Sequence, residues 1–440
     1  MFPASRWAQA KNRMTGSAAK TKRILFLEPQ PFFAVRGSPF RVRATVSALT
    51  ELGYCVDLVV LPLGENITIP GVEILRVPKI PGIRCVPTGP SLAKFFYDSV
   101  LFFYALKLLL RRRYTAVHGV EEAGIIAAII GRLFALPYIF DMHSCMPEQL
   151  ANLDLPCARL FARFVALVEK HCIRRAAAVM TVGEEHALYA RGIAPLVHAV
   201  SVPDAALDDT GKASAADVER LRRELNIQDK RVAVYTGNFD PCQGIPLLLR
   251  GFAAMLERKE AFAHRDNCVL LIVGGAPEEE ERRKVQLELA QTLNIADAVV
   301  FTGTRPAAEM PAFMALADVL VSARISGANT PLKIYSYMAA ERIIAATRIS
   351  SHTQVLSDAT ALLCEPEPKA LGQVLAAAFD PAPSALQKRR SMIIAAKRLV
   401  ELRFSRSSFK TQLSALYSAV EQPRCASRNT SQPRAVRYRG

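Results

Sequence analysis

Short apolar runs alternate along most of the chain with longer segments that are apolar on one side only. Lys22–Leu27 and Tyr54–Leu61 are typical of strands buried on both faces, and Arg41–Leu52 between them has helical spacing of its apolar residues. The same order returns later, at Arg231–Tyr235 and Ile245–Leu256. Because strands that alternate with helices build parallel sheets covered by helices, the pattern predicts an α/β protein.

A polar stretch divides this pattern into two halves, each of which would form a doubly wound, Rossmann-like domain. Two such domains that face each other leave a cleft, which is a common ligand site. We predict six segments: a basic N-terminal segment at 1–21, a first domain at 22–203, a linker at 204–216, a second domain at 217–402, a C-terminal helix at 403–421 and a disordered basic tail at 422–440.

One helix of the second half has a start that suits a phosphate group. It follows the strand-like run Asp318–Ser322; Thr330 is predicted to cap it, and Pro331 fits its first turn, where no N–H is needed. Free N–H groups and the helix dipole attract anions there, and Lys333 would add a full positive charge. The alternative is an ordinary connection between parallel strands with a lysine on its surface.

The net charge of +16 is unevenly distributed. Residues 1–200 carry 24 basic and 14 acidic side chains, residues 201–384 carry 19 and 24, and residues 385–440 carry 13 and 2. Such basic segments indicate an anionic partner, and no nucleic-acid-binding motif accompanies them. We therefore expect an anionic membrane surface as a partner and no nucleic acid; a solvated basic surface without a partner is the alternative.

The helix predicted at 91–113 suits that membrane surface, because it ends in Arg111-Arg112-Arg113 and has an apolar side; core packing is the alternative. That side consists of Phe95, Phe96, Leu101, Phe102, Tyr104, Leu108 and Leu109. No uncharged run reaches the length of a membrane span, about 18 residues, and the polar first 20 residues predict no signal peptide. We expect a cytoplasmic protein bound peripherally to the inner face of the cytoplasmic membrane.

His143 lies just after the strand-like run 138–140, on a predicted loop where site residues are common; a structural histidine is the alternative. The nine cysteines form no CxxC pair, which predicts neither a metal site nor a disulfide framework. We expect no metal and no bound cofactor.

Eight short segments, in this order and spacing, resemble the glycosyltransferases of family four, in a branch with an Asn-Thr-Pro-x-Lys motif. The resemblance covers roughly Lys22 to Val420 and implies the GT-B fold of two facing Rossmann-like domains. In that fold, the domain at 22–203 would be the acceptor domain and the domain at 217–402 would bind the donor. It also implies transfer of a sugar from a nucleotide-diphosphate sugar, with retention at the anomeric carbon and usually without a metal. The segments are Gly37-Ser38-Pro39, His118-Gly119-Val120-Glu121-Glu122, Asp141-Met142-His143, Tyr235-Thr236-Gly237-Asn238, Gln243-Gly244, Val273-Gly274-Gly275, Phe301-Thr302-Gly303 and Asn329-Thr330-Pro331-Leu332-Lys333-Ile334-Tyr335.

The resemblance implies roles for the matched positions. His143 would be the catalytic residue beside the transferred sugar, and the helix start with Lys333 would hold the diphosphate. Hydrogen-bond donors fixed at this position would stabilise the transition state more than the ground state, because the leaving diphosphate gains negative charge. The implied donor-binding residues are Gly37, Ser38, Gly237, Asn238, Gln243, Gly244, Gly275, Asn329, Thr330, Pro331, Leu332, Lys333 and Ser336.

The chain departs from the family pattern at several positions. Two glutamates of many members fall on Ala328 and Ser336, an Arg and a Lys fall near Asn238 and Gln243, and Glu341 stands where a glycine usually ends the helix. We expect a retaining glycosyltransferase with a lipid-linked or polysaccharide acceptor. The alternatives are a non-catalytic GT-B protein that binds a nucleotide sugar or serves as a scaffold, which Ser336 favours, and another GT-B activity such as a sugar epimerase.

Overall fold

The computed structural model describes residues 22–32, 37–83, 86, 91–151, 158–205, 213–257, 267–275, 279–327 and 329–421, and every structural statement concerns these residues. The predicted N-terminal segment and C-terminal tail, most of the linker and Ala328 lie outside the described residues. The elements of the first half are β1 (Arg23–Glu28), α1 (Gly37–Glu51), β2 (Cys55–Val60), β3 (Val72–Arg76), α2 (Leu92–Leu109), β4 (Ala116–Val120), α3 (Ala123–Phe134), β5 (Tyr138–Met142), α4 (Met146–Ala151), α5 (Ala158–Arg175), β6 (Ala178–Thr181), α6 (Glu184–Ile193) and β7 (His198–Ser201).

The second half repeats the alternation of strands and helices. Its elements are α7 (Ala215–Glu224), β8 (Arg231–Thr236), α8 (Ile245–Leu256), β9 (Cys268–Val273), α9 (Glu280–Thr292), β10 (Val299–Gly303), α10 (Met310–Leu316), β11 (Val319–Ser322), α11 (Leu332–Ala339), β12 (Ile343–Thr347), α12 (Ser350–Thr353), β13 (Leu362–Cys364), α13 (Pro368–Phe379), α14 (Pro383–Arg403) and α15 (Arg406–Glu421), with short 3-10 turns at Pro241–Gln243, Ala296–Ala298 and Ala307–Glu309.

Both halves form parallel sheets, which confirms the predicted α/β class with two Rossmann-like domains. The described strands of the first sheet run in the order β3-β2-β1-β4-β5-β6-β7, and those of the second run β10-β9-β8-β11-β12-β13. The winding reverses between β1 and β4 in the first sheet and between β8 and β11 in the second. Ligands of doubly wound sheets bind at the carboxyl ends of the strands beside such a reversal.

Alternating side chains of the first sheet pack into two hydrophobic cores, one on each face of the sheet. Leu25 and Leu27 of β1 pack with the helices α2, α3 and α5, whereas Ile24 and Phe26 pack with α1 and α15. The helix α15 therefore returns from the second half to cover the first domain. Its Tyr417 hydroxyl lies 2.7 Å from Nδ1 of buried His118.

Several element boundaries differ from the prediction. The helix α1 begins at Gly37, four residues before the predicted start, and α2 ends at Leu109, so the three arginines at 111–113 follow the helix. Three helices, α4, α7 and α12, were not predicted. Within the described residues, no helix is both long and apolar enough to cross a membrane.

Candidate functional site

The predicted site residues lie mainly at the carboxyl ends of strands, beside the two winding reversals. In the second domain, Gly237 follows β8 and Lys333 belongs to α11, which comes after β11. In the first domain, Ser38 lies at the start of α1, which comes after β1, and His143 follows β5. The parallel register brings these strand ends to one edge of each sheet, so the fold alone gathers side chains that are far apart in sequence.

Lys333 lies beside the carboxyl end of β8. Its Nζ donates a 3.0 Å hydrogen bond to Oε1 of Gln243 and lies 3.9 Å from the centre of the Tyr235 ring. Burial, together with the charge of Arg324, lowers the pKa of Lys333 to about 7. Among the described residues no carboxylate pairs with this ammonium group. The position is therefore suited to an anion that enters from outside.

Two glycines leave room around that lysine. A Cβ at Gly237 would lie 2.9 Å from Nζ of Lys333, and its φ of +144° is one that side chains rarely adopt. A Cβ at Gly244 would lie 2.0 Å from the backbone oxygen of Ala323, so α8 can approach the loop after β11 only with glycine there. The backbone can thus come close to a ligand at this edge.

The start of α11 differs from the prediction in its cap. Pro331, not Thr330, occupies the N-cap position, with φ −64° and ψ 136°, and no side chain caps the helix. The predicted cap by Thr330 is wrong, because this buried side chain bonds Tyr335 instead. Leu332 and Lys333 open the helix, and their N–H groups remain uncapped, which favours an anion there.

His143 sits in a charged, buried network of the first domain. Its Nδ1 lies 3.2 Å from the Ser38 hydroxyl, and its Nε2 lies 3.2 Å from Oδ2 of Asp141. Burial alone would lower the pKa of His143, but the Asp141 carboxylate outweighs burial and the pKa is raised. Burial likewise opposes ionisation of Asp141, yet His143 and Arg41 hold its pKa well below the usual value.

The two domains touch at this site. The side-chain amide of Asn329, just before α11, donates a hydrogen bond to the backbone oxygen of His143. A second contact joins Gln354 to Glu185 at 3.5 Å. The structure thus brings together Ser38, His143, Asn329 and the start of α11 across the cleft.

Other predicted residues are less closely involved. Asn238 is exposed, and its side chain donates a 2.7 Å bond to Asp240. Gly275, whose φ is +91°, accepts a 2.6 Å bond from Thr304, and Gly37 is the first residue of α1. Ser336 is half-buried one turn after Lys333. The roles expected for these residues stay predictions.

Sequence reasoning missed a group of carboxyl side chains in the first domain. Glu28 is fully buried at the end of β1, Glu121 follows β4, and Asp98 projects from α2. An acidic residue at the end of an otherwise apolar strand, as in the run ending at Glu28, was the available signal. Within the described residues, no group of three His, Cys, Asp or Glu side chains is arranged to hold a metal ion.

Comparison with protein families gives one match for each domain. Residues 36–205 match the family described as "Glycosyl transferase 4-like domain", and residues 230–380 match the family described as "Glycosyl transferases group 1". Together these segments contain the winding reversal of the second sheet and nearly all of the predicted site residues, whereas β1 of the first reversal lies before residue 36.

Known proteins of similar sequence and structure agree with these matches. The chain is 28% identical over 310 residues to a 2-deoxystreptamine N-acetyl-D-glucosaminyltransferase of Streptomyces fradiae, covering 67% of this chain and 70% of that protein. It is 26% identical over 358 residues to a 2-deoxystreptamine glucosyltransferase of Streptomyces kanamyceticus, covering 76% and 82%. The structure of Anabaena Alr3699/HepE in complex with UDP superposes with a TM-score of 0.69 at 17% identity, covering 90% of this chain and 100% of that one.

Proposed function

The chain belongs to the glycosyltransferases of the GT-B fold, and we propose that it transfers a sugar from a nucleoside-diphosphate sugar with retention at the anomeric carbon. The observation that carries this proposal is Lys333, a half-buried lysine without an acidic partner in the described residues. It stands beside Gly237 at the winding reversal of the second sheet, on the first turn of a helix without a side-chain cap. A diphosphate would satisfy both the lysine and the helix start.

The chemistry follows from where charge develops. As the bond between the sugar and the diphosphate breaks, the departing phosphate gains negative charge. Lys333 and the N–H groups of α11 are fixed in advance beside it, so they stabilise the transition state more than the bound donor. His143 lies across the cleft with a raised pKa, which favours a protonated imidazole that donates hydrogen bonds to the sugar over a base that removes a proton. This speaks against His143 as the general base that an inverting transfer would need.

Release of nucleoside diphosphate from UDP-, GDP- and ADP-sugars, measured with and without membrane lipids, tests the activity. We expect release with at least one donor, and NMR of the product should show the donor's anomeric configuration. His143→Ala should lower turnover while leaving the affinity for the nucleoside diphosphate nearly unchanged. An inverted product, or release by no donor, would contradict the proposal.

We further propose that the acceptor is lipid-linked or a growing polysaccharide at an anionic membrane surface. Support comes from the outer helical surface, which is the solvent side of α2, α3 and α5. These neighbouring helices cover one face of the first sheet, and large apolar side chains point away from the core: Phe95, Phe96, Phe103, Leu110, Ile129, Leu133, Leu160, Phe164 and Leu167. Phe95 and Leu110 are 67% and 79% exposed. Arg111, Arg113, Arg132, Arg163 and Arg174 are exposed on or beside the same helices.

An apolar surface edged by cations suits an anionic bilayer, because each basic residue near such a bilayer contributes roughly 1 kcal/mol to the binding free energy. The predicted arginine cluster contributes only in part, because Arg112 binds Asp57 at 2.8 Å and Glu73 at 2.6 Å. Sedimentation with vesicles should show binding to anionic lipid and not to neutral lipid, with release in high salt. Phe95→Ser with Phe164→Ser should weaken that binding, whereas equal binding to both lipids would contradict an electrostatic role.

A second acceptor candidate is a small amine. Both Streptomyces relatives are named for transfer to 2-deoxystreptamine. The observation in this chain that favours it is the group of buried carboxyl side chains beside His143.

A further inference from the structure

Four carboxyl groups and one lysine surround the winding reversal of the first sheet. Glu28 ends β1, Glu121 and Glu122 follow β4, and Asp98 and Lys94 come from α2. Lys94 lies 2.5 Å from Glu122, and the hydroxyl of Ser144 bonds Glu121 at 2.9 Å. We call these four carboxyl groups the acidic cluster. It lies where the first domain of a doubly wound pair holds a ligand.

Glu28 is the residue that points to a ligand. It is 0% exposed, and within the described residues neither of its carboxyl oxygens has a hydrogen-bond partner. The nearby charges that act on it are those of His143, Glu122, Lys94 and Asp141, so its carboxyl group faces the cluster. One oxygen of Asp98 is likewise buried without a partner. Unpaired buried acids are costly, and they commonly mark a position that something else fills.

The charges around the cluster do not balance. Asp141 and Asp204 share Arg41, whose Nη1 lies 2.7 Å from Asp204, and Asp141 also adjoins His143. Cationic side chains in this part of the domain are therefore fewer than carboxyl groups. The carboxyl groups are Glu28, Asp98, Glu121, Glu122, Asp141 and Asp204, and the cations are Lys94, Arg41 and His143.

Protonation provides the missing positive charge while no ligand is present. Burial raises the pKa of Glu28 to about 8, that of Asp98 to about 8 and that of Glu121 to about 7, and Glu122 adds to each shift. Near neutral pH these groups therefore hold protons that an entering cation would replace.

We propose that the acidic cluster binds an ammonium group of the acceptor. This inference rests on the proposed function, since it takes the first domain as the acceptor domain. An ammonium group carries three N–H donors, which matches three buried oxygens that lack a partner in the described residues, two on Glu28 and one on Asp98. A metal ion fits less well, because no three His, Cys, Asp or Glu side chains of the described residues are arranged to hold one. A hydroxyl-bearing sugar without an amine would leave the excess of carboxyl groups uncompensated.

Isothermal calorimetry in the presence of UDP tests this with three probes that differ only at one carbon: glucosamine, glucose and N-acetylglucosamine. We expect glucosamine to bind at least about tenfold more tightly than the two uncharged sugars. At pH 7 its binding should release protons, seen as a dependence of the heat on the buffer, because a bound cation lowers the pKa of the cluster. Equal binding of the three sugars would overturn the proposal.

Glu28→Gln is the decisive variant, since it keeps the shape of the side chain and removes the charge. It should abolish the preference for glucosamine, and the exposed control Glu65→Gln should keep it. Thermal unfolding and UDP affinity show that each variant is folded; a Glu28→Gln protein with the full preference would overturn the assignment. The calorimetric experiment measures binding and not turnover. Its result can therefore be interpreted even if the transfer reaction, measured separately as nucleotide release, fails. A dodecyl glucosaminide in vesicles, compared with free glucosamine, tells a lipid-linked from a soluble amine.

Discussion

At the scale of single residues, the proposed contact of Lys333 with the donor phosphates predicts that donor binding depends on pH. Its pKa of about 7 belongs to the free protein, and a bound diphosphate would raise it, so binding takes up a proton. We therefore expect the affinity for nucleoside diphosphate to fall as pH rises from 7 to 9. Lys333→Ala should lower affinity by about 2–4 kcal/mol at pH 7 and remove that pH dependence, as titration calorimetry can measure. The exposed control Lys369→Ala should change neither; a variant with wild-type affinity would remove Lys333 from the phosphate site.

Ser336 is expected to limit donor affinity. It lies three residues after Lys333 and on the same side of α11, where a carboxylate could accept ribose hydroxyls. Glu341 cannot replace it, because it lies beyond the helix end with φ +57° and pairs with Lys397 at 2.6 Å. Ser336→Glu should tighten donor binding by about 1.5–3 kcal/mol, and Glu341→Ala should leave it unchanged in the same calorimetric titration. No gain from the first variant together with a large loss from the second would place the ribose contact on Glu341.

The sequence alone predicts those site residues that belong to a motif of neighbouring residues in the chain. Lys333 and His143 each follow a strand end that the apolar pattern marks, so both could be proposed without coordinates. The acidic cluster could not, because Glu28, Asp98 and Glu121 come from three elements and meet only through the order of the strands. The cap at Thr330 was predicted wrongly, since its bond to Tyr335 depends on how α11 packs.

At the scale of elements, the end of α3 offers a clean test of backbone strain. Ala135 closes this helix in the left-handed conformation, with φ 52° and ψ 36°, and its side chain is exposed. The left-handed conformation costs a residue other than glycine roughly 1–2 kcal/mol. Glycine removes this cost, but the greater entropy of its unfolded chain offsets part of the gain. Ala135→Gly should therefore stabilise the first domain by about 0.5–1 kcal/mol, measured from the midpoint of denaturant unfolding.

The matched control is Ala194, which closes α6 with φ −142°, where alanine is not strained. Ala194→Gly should be neutral or destabilising, because it raises the entropy of the unfolded chain and removes a partly buried methyl group without relieving any strain. Equal shifts in both variants would show that left-handed strain is not the cause.

Periodic segments with clear ends were predicted well at this scale. The helix α8 has the predicted bounds, Ile245–Leu256, because a strongly apolar segment follows Gly244 and has a proline in its first turn. Short helices were missed: α4 and α12 span six and four residues, too few for a helical period to show. The return of α15 to the first domain could not be inferred, since an amphipathic pattern does not say which sheet a helix covers.

At the scale of the whole molecule, the cleft is held by few contacts. The bond from Asn329 to the backbone oxygen of His143 joins the second domain to the first, and a further polar contact, between Gln354 and Glu185, is exposed and 3.5 Å long. Since an interface with little packing permits relative motion of domains, these bonds should bias the protein towards a closed cleft.

Asn329→Ala removes the contact that lies at the site and keeps the helix start intact. Loss of one hydrogen bond is worth about 0.5–1.5 kcal/mol, enough to shift a two-state equilibrium between open and closed clefts several-fold. We expect small-angle X-ray scattering to give a larger radius of gyration for the ligand-free variant than for the wild type, and added UDP to reduce that difference. Turnover should fall more than UDP affinity, because His143 would meet the donor less often.

Gln354→Ala, which removes the weaker contact, should have the smaller effect on both measurements. If the two variants open the cleft equally, or neither does, the Asn329 bond does not hold the domains together.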